Sequence, residues 1–226
     1  MTSIRRKDYF NMTNAILVVL FVVFLVETFM GGSENTTVLY KMGAMYNPLV
    51  AIKHQFWRLF TAQFLHIGIL HIASNAIIIL YLGRMMEPFM GSWRFLALYL
   101  LSGIGGNLMS FAFGSDLALS AGASTALFGL LGALTTLLFT SDRRLATGYA
   151  GRQALSLAVL NIVIDLFISE IDIWGHVGGF ITGFCLMSLI TTQYHGLYRR
   201  TFKILSAIGI VVYVIVTLRL GMRINF

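Results

Sequence analysis

The sequence predicts an all-α, polytopic membrane helix bundle. Of its 226 residues, 58% are hydrophobic and only 11% are charged, and the mean hydropathy is +0.82. A soluble domain carries far more charge. Apolar runs long enough to cross a bilayer recur along the whole chain, and the glycines frequent within them allow close helix packing. We therefore expect one membrane domain that covers residues 1–226.

Seven apolar stretches can each form a spanning helix, because each has about 20 predominantly apolar residues. They lie at roughly 12–30, 66–86, 94–113, 122–140, 154–171, 176–192 and 203–220. The first six could form a core over about residues 12–192, with the seventh appended. The first stretch lacks a small-residue cleavage site at a sensible distance, so we expect a retained anchor and not a signal peptide.

The basic residues predict how these helices are oriented. Eleven of the sixteen lysines and arginines fall in the N-terminal segment or beside the connections after the second, fourth and sixth stretches. These are Arg5, Arg6, Lys7, Arg84, Arg94, Arg143, Arg144, Arg152, Arg199, Arg200 and Lys203. The positive-inside rule then predicts a multi-pass protein of the cell membrane with a cytoplasmic N-terminus and an extracellular C-terminus. The net charge of +7 reflects this topology, and no nucleic-acid partner is predicted.

Ser124 stands where a loop becomes the fourth apolar helix. The unpaired N–H groups at a helix start suit an anion, and Gly122 and Ala123 leave room for another backbone to approach. Taken alone, the serine is best explained as a helix N-cap beside small packing residues. Its surroundings favour another interpretation.

Further polar residues share the predicted depth of Ser124. His71 and Asn75 are four residues apart on one face of the second helix, and His176 lies near the start of the sixth. The second, fourth and sixth helices run in the same direction, so we expect all four residues in the outer leaflet. Polar groups at membrane depth are costly and by default indicate a functional site.

Glycines could bring the serine and the histidine together. Gly179 and Gly183 share a helix face with His176, so the sixth helix can approach Gly129 and Gly132 of the fourth. This approach would bring the imidazole to the serine.

A histidine beside a serine is the minimum unit for nucleophilic acyl transfer. The neutral imidazole takes the hydroxyl proton during attack and later returns it to the leaving amine. The His71 imidazole, the Asn75 amide and the Ser124 backbone N–H could donate to the oxyanion. The pattern predicts a serine hydrolase within the membrane.

The same residues resemble the rhomboid intramembrane serine proteases over nearly all of residues 12–192. The resemblance is carried by a nucleophile motif at Gly122, Ala123, Ser124, Ala126 and Gly129; a histidine motif at His176, Gly179 and Gly183; the oxyanion pair His71 and Asn75; and the first-loop signature Trp57-Arg58. Thr125 departs from the pattern, since many family members carry glycine there.

The resemblance implies a rhomboid-like fold of six core helices, with the seventh similar to the extra C-terminal helix of one subset. It implies an endopeptidase that cuts transmembrane protein substrates near the outer face through a Ser124–His176 dyad, with Phe128 stacked on the histidine. It also suggests the fifth helix as a lateral gate. No cofactor or metal is implied, the bilayer is the surrounding partner, and the oligomeric state is not predicted.

Three alternatives remain open at this point. Asp165, with Asn161 on the same helix face, could orient His176 as a triad acid, although we prefer the dyad. His66, His71 and His176 could instead hold a haem, as histidines on facing helices can. The fold could also bind membrane helices without cutting them.

Overall fold

The computed structural model describes residues 11–142, 149–168, 170–191 and 196–223. Its helices are α1 (Met12–Phe29), α2 (Thr36–Met42), α3 (Asn47–Ala51), α4 (Arg58–Thr61), α5 (Ile69–Met90), α6 (Ser92–Phe113), α7 (Ser124–Thr135), α8 (Tyr149–Asp165), α9 (Ile173–Ile190) and α10 (Arg200–Gly221). Short 3₁₀ turns follow α4 at Ala62–Phe64 and α7 at Thr136–Phe139. Five basic residues of the orientation argument, Arg5, Arg6, Lys7, Arg143 and Arg144, lie outside the described residues.

The predicted all-α polytopic membrane bundle is confirmed. Helices α1, α5, α6, α9 and α10 are each long and apolar enough to cross a bilayer, and Ser124–Phe139 is a shorter apolar helix. Together with α8, they occupy the seven stretches predicted from the sequence.

Several predicted boundaries differ from those of the helices by three to six residues, and two of the differences are explained by local features. The second stretch was expected from residue 66, but α5 begins at Ile69 because Gly68 has a φ of 83°. The fifth was expected over 154–171, whereas α8 covers Tyr149–Asp165. Arg152 and Gln153 are polar and were therefore expected in the connecting loop, but they lie in the first turns of α8. At its other end, the helix stops after Asp165.

The loop between α1 and α5 folds around the guanidinium of Arg58. This group donates to the carbonyl oxygens of Ala44 at 2.7 Å and Tyr40 at 2.9 Å, and to Gln55 Oε1 at 2.8 Å. It also lies 4.8 Å from the centroid of the Trp57 ring, within cation–π range. Burial lowers the pKa of Arg58 from its ordinary value, but an arginine stays charged and keeps all its donors.

Helix α7 lies at the centre of the bundle, since every residue from Thr125 to Thr135 is buried. It contacts α9 backbone to backbone at glycines. A Cβ on Gly183 would collide with the Gly129 carbonyl, and one on Gly132 would collide with the Phe180 carbonyl. The predicted approach of the fourth and sixth helices is confirmed at these positions.

Helices α8 and α10 pack on different parts of the bundle. Helix α8 contacts the core through a small-residue face of Gly151, Ala154 and Ala158. Helix α10 packs on α6, where the Tyr213 hydroxyl donates to the Gly105 carbonyl at 2.5 Å.

Candidate active site

Ser124 is the first residue of α7, and its hydroxyl does not cap that helix. The N-cap position is taken by Ala123, with no side-chain cap hydrogen bond. The interpretation of Ser124 as an N-cap is therefore wrong. The Ala123 N–H points to His66 Nε2 at 3.4 Å, and the Gly122 N–H donates to the Ala62 carbonyl at 3.0 Å. These contacts fix the loop from which the serine projects.

Gly122 makes room for a side chain and not for the α9 backbone. Its φ is 146°, and a Cβ there would lie 2.7 Å from Cε1 of His71. Any other residue would strain the turn and displace the histidine. The glycine that clears the way for α9 is Gly179, where a Cβ would collide with the Thr125 carbonyl.

The structure brings Ser124 and His176 into hydrogen-bond contact. Nε2 of His176 lies 2.8 Å from Oγ of Ser124. The imidazole is stacked on Phe128, with ring centroids 4.1 Å apart and planes inclined by 14°. This is the expected ring contact, and it holds the imidazole plane parallel to the phenyl ring.

The other imidazole nitrogen faces a carboxylate. His176 Nδ1 lies 2.7 Å from Asp165 Oδ2, and the two residues are only 8% and 5% exposed. A carboxylate only accepts hydrogen bonds, so it favours the tautomer with the proton on Nδ1. Nε2 is then free to accept the serine proton.

His71 and Asn75 lie beside the serine on α5. Both line a cavity of about 480 Å³ together with Ser124, Asp165 and His176. The Asn75 amide nitrogen is buried and has no hydrogen-bond partner among the described residues. His71 Nδ1 accepts from the Ile67 N–H at 3.4 Å, so a neutral His71 carries its proton on Nε2. The Asn75 amide and the His71 Nε2–H are therefore two hydrogen-bond donors in the same cavity as the serine.

His66 packs beside His71 at this site. It is fully buried, and its backbone N–H donates to Glu27 Oε1 at 3.1 Å. Its ring meets His71 edge-on, with centroids 5.2 Å apart. Glu27 had no predicted role, although a single acid in an otherwise apolar helix is a signal that could have indicated one.

Thr125 is accommodated by two glycines on neighbouring helices. A Cβ on Gly106 would lie 2.6 Å from the Thr125 Cβ, and one on Gly175 would lie 3.0 Å from its methyl group. The side chain thus fills space between α6 and α9. Its hydroxyl is buried without a hydrogen-bond partner in the part of the chain that the structure describes.

The fold and this cluster define a class: a polytopic helical membrane protein with a serine–histidine site buried among its helices. The chain matches the Rhomboid domain over residues 53–193, more than half of its length. It therefore belongs to the rhomboid family.

Named relatives agree with this assignment. Rhomboid protease GluP of Bacillus subtilis (strain 168) is 38% identical over 178 residues, 79% of this chain and 34% of that protein. RHOMBOID-like protein 1 of Arabidopsis thaliana is 37% identical over 163 residues, 71% of this chain and 41% of that protein. Rhomboid-like protease 3 of Toxoplasma gondii is 35% identical over 155 residues, 68% of this chain and 58% of that protein. The chain thus matches between about a third and somewhat more than half of the length of these relatives.

Proposed function

We propose that this protein is an intramembrane serine endopeptidase that cleaves transmembrane helices of substrate proteins near the outer membrane face. The observation that carries the proposal is the 2.8 Å contact between Ser124 Oγ and His176 Nε2 at the wall of a cavity. Membership of the rhomboid family and the relatives named as rhomboid proteases support it.

In the first half of the reaction, Ser124 Oγ attacks the scissile carbonyl carbon while its proton passes to His176 Nε2. The carbonyl electron pair moves to oxygen, which accepts hydrogen bonds from the Asn75 amide, His71 Nε2–H and the Ser124 backbone N–H. His176 then gives its proton to the leaving nitrogen as the C–N bond breaks. An acyl-enzyme and a free amine result.

In the second half, water attacks the acyl-enzyme carbonyl and His176 takes one of its protons. The C–Oγ bond breaks, the proton returns to Oγ, and the new carboxylic acid leaves. Asn75, Asn107, Asn161 and Thr125 contribute polar groups to the cavity wall, which supports the presence of water at this depth.

The substrate must unwind where it is cut, because a helix ties up its carbonyls in hydrogen bonds to residue i+4. Glycine or proline near the bond lowers this barrier. The distribution of basic residues supports a cell-membrane protein with its N-terminus in the cytoplasm and its C-terminus outside, which puts the site near the outer face.

Labelling by a serine-directed fluorophosphonate tests the proposal, combined with cleavage of a single-span substrate that carries a helix-destabilising glycine. Wild type and Ser141→Ala should label and cleave, since Ser141 is an exposed residue beyond the far end of α7. Ser124→Ala and His176→Ala should do neither. Equal labelling of all four proteins would refute the proposal, and helix binding without cleavage by the wild type would favour the non-proteolytic alternative.

No geometric observation favours the haem alternative. His66 Nε2 faces the Ala123 N–H, and both ring nitrogens of His176 are engaged by protein groups. Haem ligation by His176 would require one of its two contacts to break.

A further inference from the structure

We propose that Asp165 is a positioning residue that selects the orientation and tautomer of His176 that can activate Ser124. The inference rests on the proposed function, because it assigns a role within that same site. Its basis is the 2.7 Å contact between Asp165 Oδ2 and His176 Nδ1, on the opposite edge of the ring from Ser124.

The location of Asp165 has no local structural explanation. It is the last residue of α8, where the partial negative charge of a helix C-terminus disfavours a carboxylate. The described buried residues of α8 are otherwise small ones, Gly151, Ala154 and Ala158. An ionisable group at membrane depth needs a partner, and within the described part of the chain the side chain of Asp165 pairs with His176.

The other acidic groups near His176 do not compete for this role. Asp172 accepts from the Gly175 N–H at 3.0 Å and from the Ser110 hydroxyl, which ties it to the start of α9 and to α6. Glu170 is exposed at the rim of the cavity. His71 faces the cavity from α5, and no lysine or arginine is among the described residues that line it. Asp165 is therefore the carboxylate in direct contact with the imidazole.

Two contacts on His176 supply different constraints. Stacking on Phe128 fixes the ring plane, but rotating the ring by 180° about the Cβ–Cγ bond leaves that plane unchanged. Such a flip would move Nε2 away from Ser124. The Asp165 carboxylate distinguishes the two orientations because it accepts from Nδ1–H in only one of them.

Asp165 also opposes the positive charge that His176 gains when it takes the serine proton. The proton stays on the imidazole and does not pass to the carboxylate. Ser124 and His176 remain the pair that exchanges protons with the substrate, and Asp165 acts through His176.

The test compares Asp165→Asn, Asp165→Ala and Asp165→Glu with Asp116→Asn, a control at an exposed acid whose Oδ1 accepts from Asn47 Nδ2, a bond that the asparagine oxygen can keep. For the first two, we expect kcat to fall by about 100-fold or more while KM stays within about twofold. Asp165→Glu should recover part of kcat, and Asp116→Asn should match the wild type. Thermal unfolding reports the folded fraction of each variant.

The second readout is the ¹⁵N spectrum of the His176 ring, assigned by its loss in His176→Ala. In the wild type, we expect a proton on Nδ1 and a bare Nε2, and in Asp165→Asn a mixture or the opposite tautomer. A folded Asp165→Asn protein with wild-type kcat and an unchanged spectrum would overturn the inference. So would losses of kcat that only follow the folded fraction.

The two proposals can fail separately. If the wild type cleaves, Ser124→Ala does not, and Asp165→Asn equals the wild type, only the role of Asp165 is wrong. If the wild type and Ser124→Ala behave alike, the proposed function is wrong. The tautomer spectrum then decides whether Asp165 orients His176, since it requires no turnover.

Discussion

The carbonyl oxygen of Gly129 on α7 occupies the space that a side chain on Gly183 of α9 would need. Serine and histidine are thus carried by helices that contact each other backbone to backbone. Van der Waals packing of this kind associates membrane helices where no hydrophobic effect operates between them. The 2.8 Å Ser124–His176 contact depends on this close approach.

Gly183→Ala is expected to separate α7 from α9. The added methyl meets backbone, which cannot rotate away, so we expect a loss of about 3 kcal/mol in unfolding free energy and little remaining cleavage. Gly209→Ala is the matched control, because the nearest atom to a Cβ there is Cys185 Sγ at 3.9 Å. Thermal unfolding in detergent measures both, and equal stability of the two variants would contradict the packing argument.

Phe128→Leu should lower activity more than stability. Losing the stacked ring removes about 1 kcal/mol of aromatic contact with His176, which corresponds to roughly a fivefold loss of kcat. Phe95→Leu removes another buried phenyl ring, one that does not line the cavity. If the two variants lose the same fraction of kcat, stacking on His176 is not what Phe128 contributes.

Asn75→Ala should act on the chemical step. The Asn75 amide nitrogen has no described partner in the resting protein, so its removal breaks no existing bond there, while the transition state loses a donor. We expect kcat to fall by about 100-fold, with fluorophosphonate labelling slowed as well. Asn14→Ala, at an exposed amide on α1, serves as the control. An unchanged kcat in a folded Asn75→Ala protein would exclude Asn75 from the oxyanion site.

Arg58→Lys should loosen the first loop although it conserves charge. A lysine cannot make the three divergent contacts of the guanidinium to Ala44, Tyr40 and Gln55, so we expect about 2 kcal/mol of destabilisation. Arg94→Lys, at an exposed position, should have no such effect. Limited proteolysis within residues 36–61 reports the loosening directly, and a cleavage rate equal to wild type would count against it.

The sequence predicts the helices and the convergence of the site residues well, because both depend on hydropathy and chain direction. Polar residues at the starts of three parallel helices had to meet at one end of the bundle, and His71, Asn75, Ser124 and His176 do line one cavity. The glycine spacing in α9 also predicted its contact with α7.

Contacts that depend on the rotation of a helix about its axis were harder to predict. A spanning helix is apolar on nearly all faces, so hydropathy does not indicate which face meets a neighbour. This is why the Asp165–His176 contact remained one alternative among several, and why Gly122 was not matched to His71. Thr125 could be explained only once Gly106 and Gly175 were seen beside it.

Asp165 lies on a different helix from Ser124 and from His176, so its contact with the imidazole can be lost separately. Ser124 and His176 lie on α7 and α9, which pack backbone to backbone, whereas Asp165 lies on α8. An outward displacement of α8 by more than about 1 Å would stretch the 2.7 Å contact beyond hydrogen-bond range and leave the Ser124–His176 contact intact. Under the proposed mechanism, a displaced α8 would leave Ser124 in contact with His176 but would remove the acceptor that orients the imidazole, so peptide-bond cleavage would wait until α8 returned.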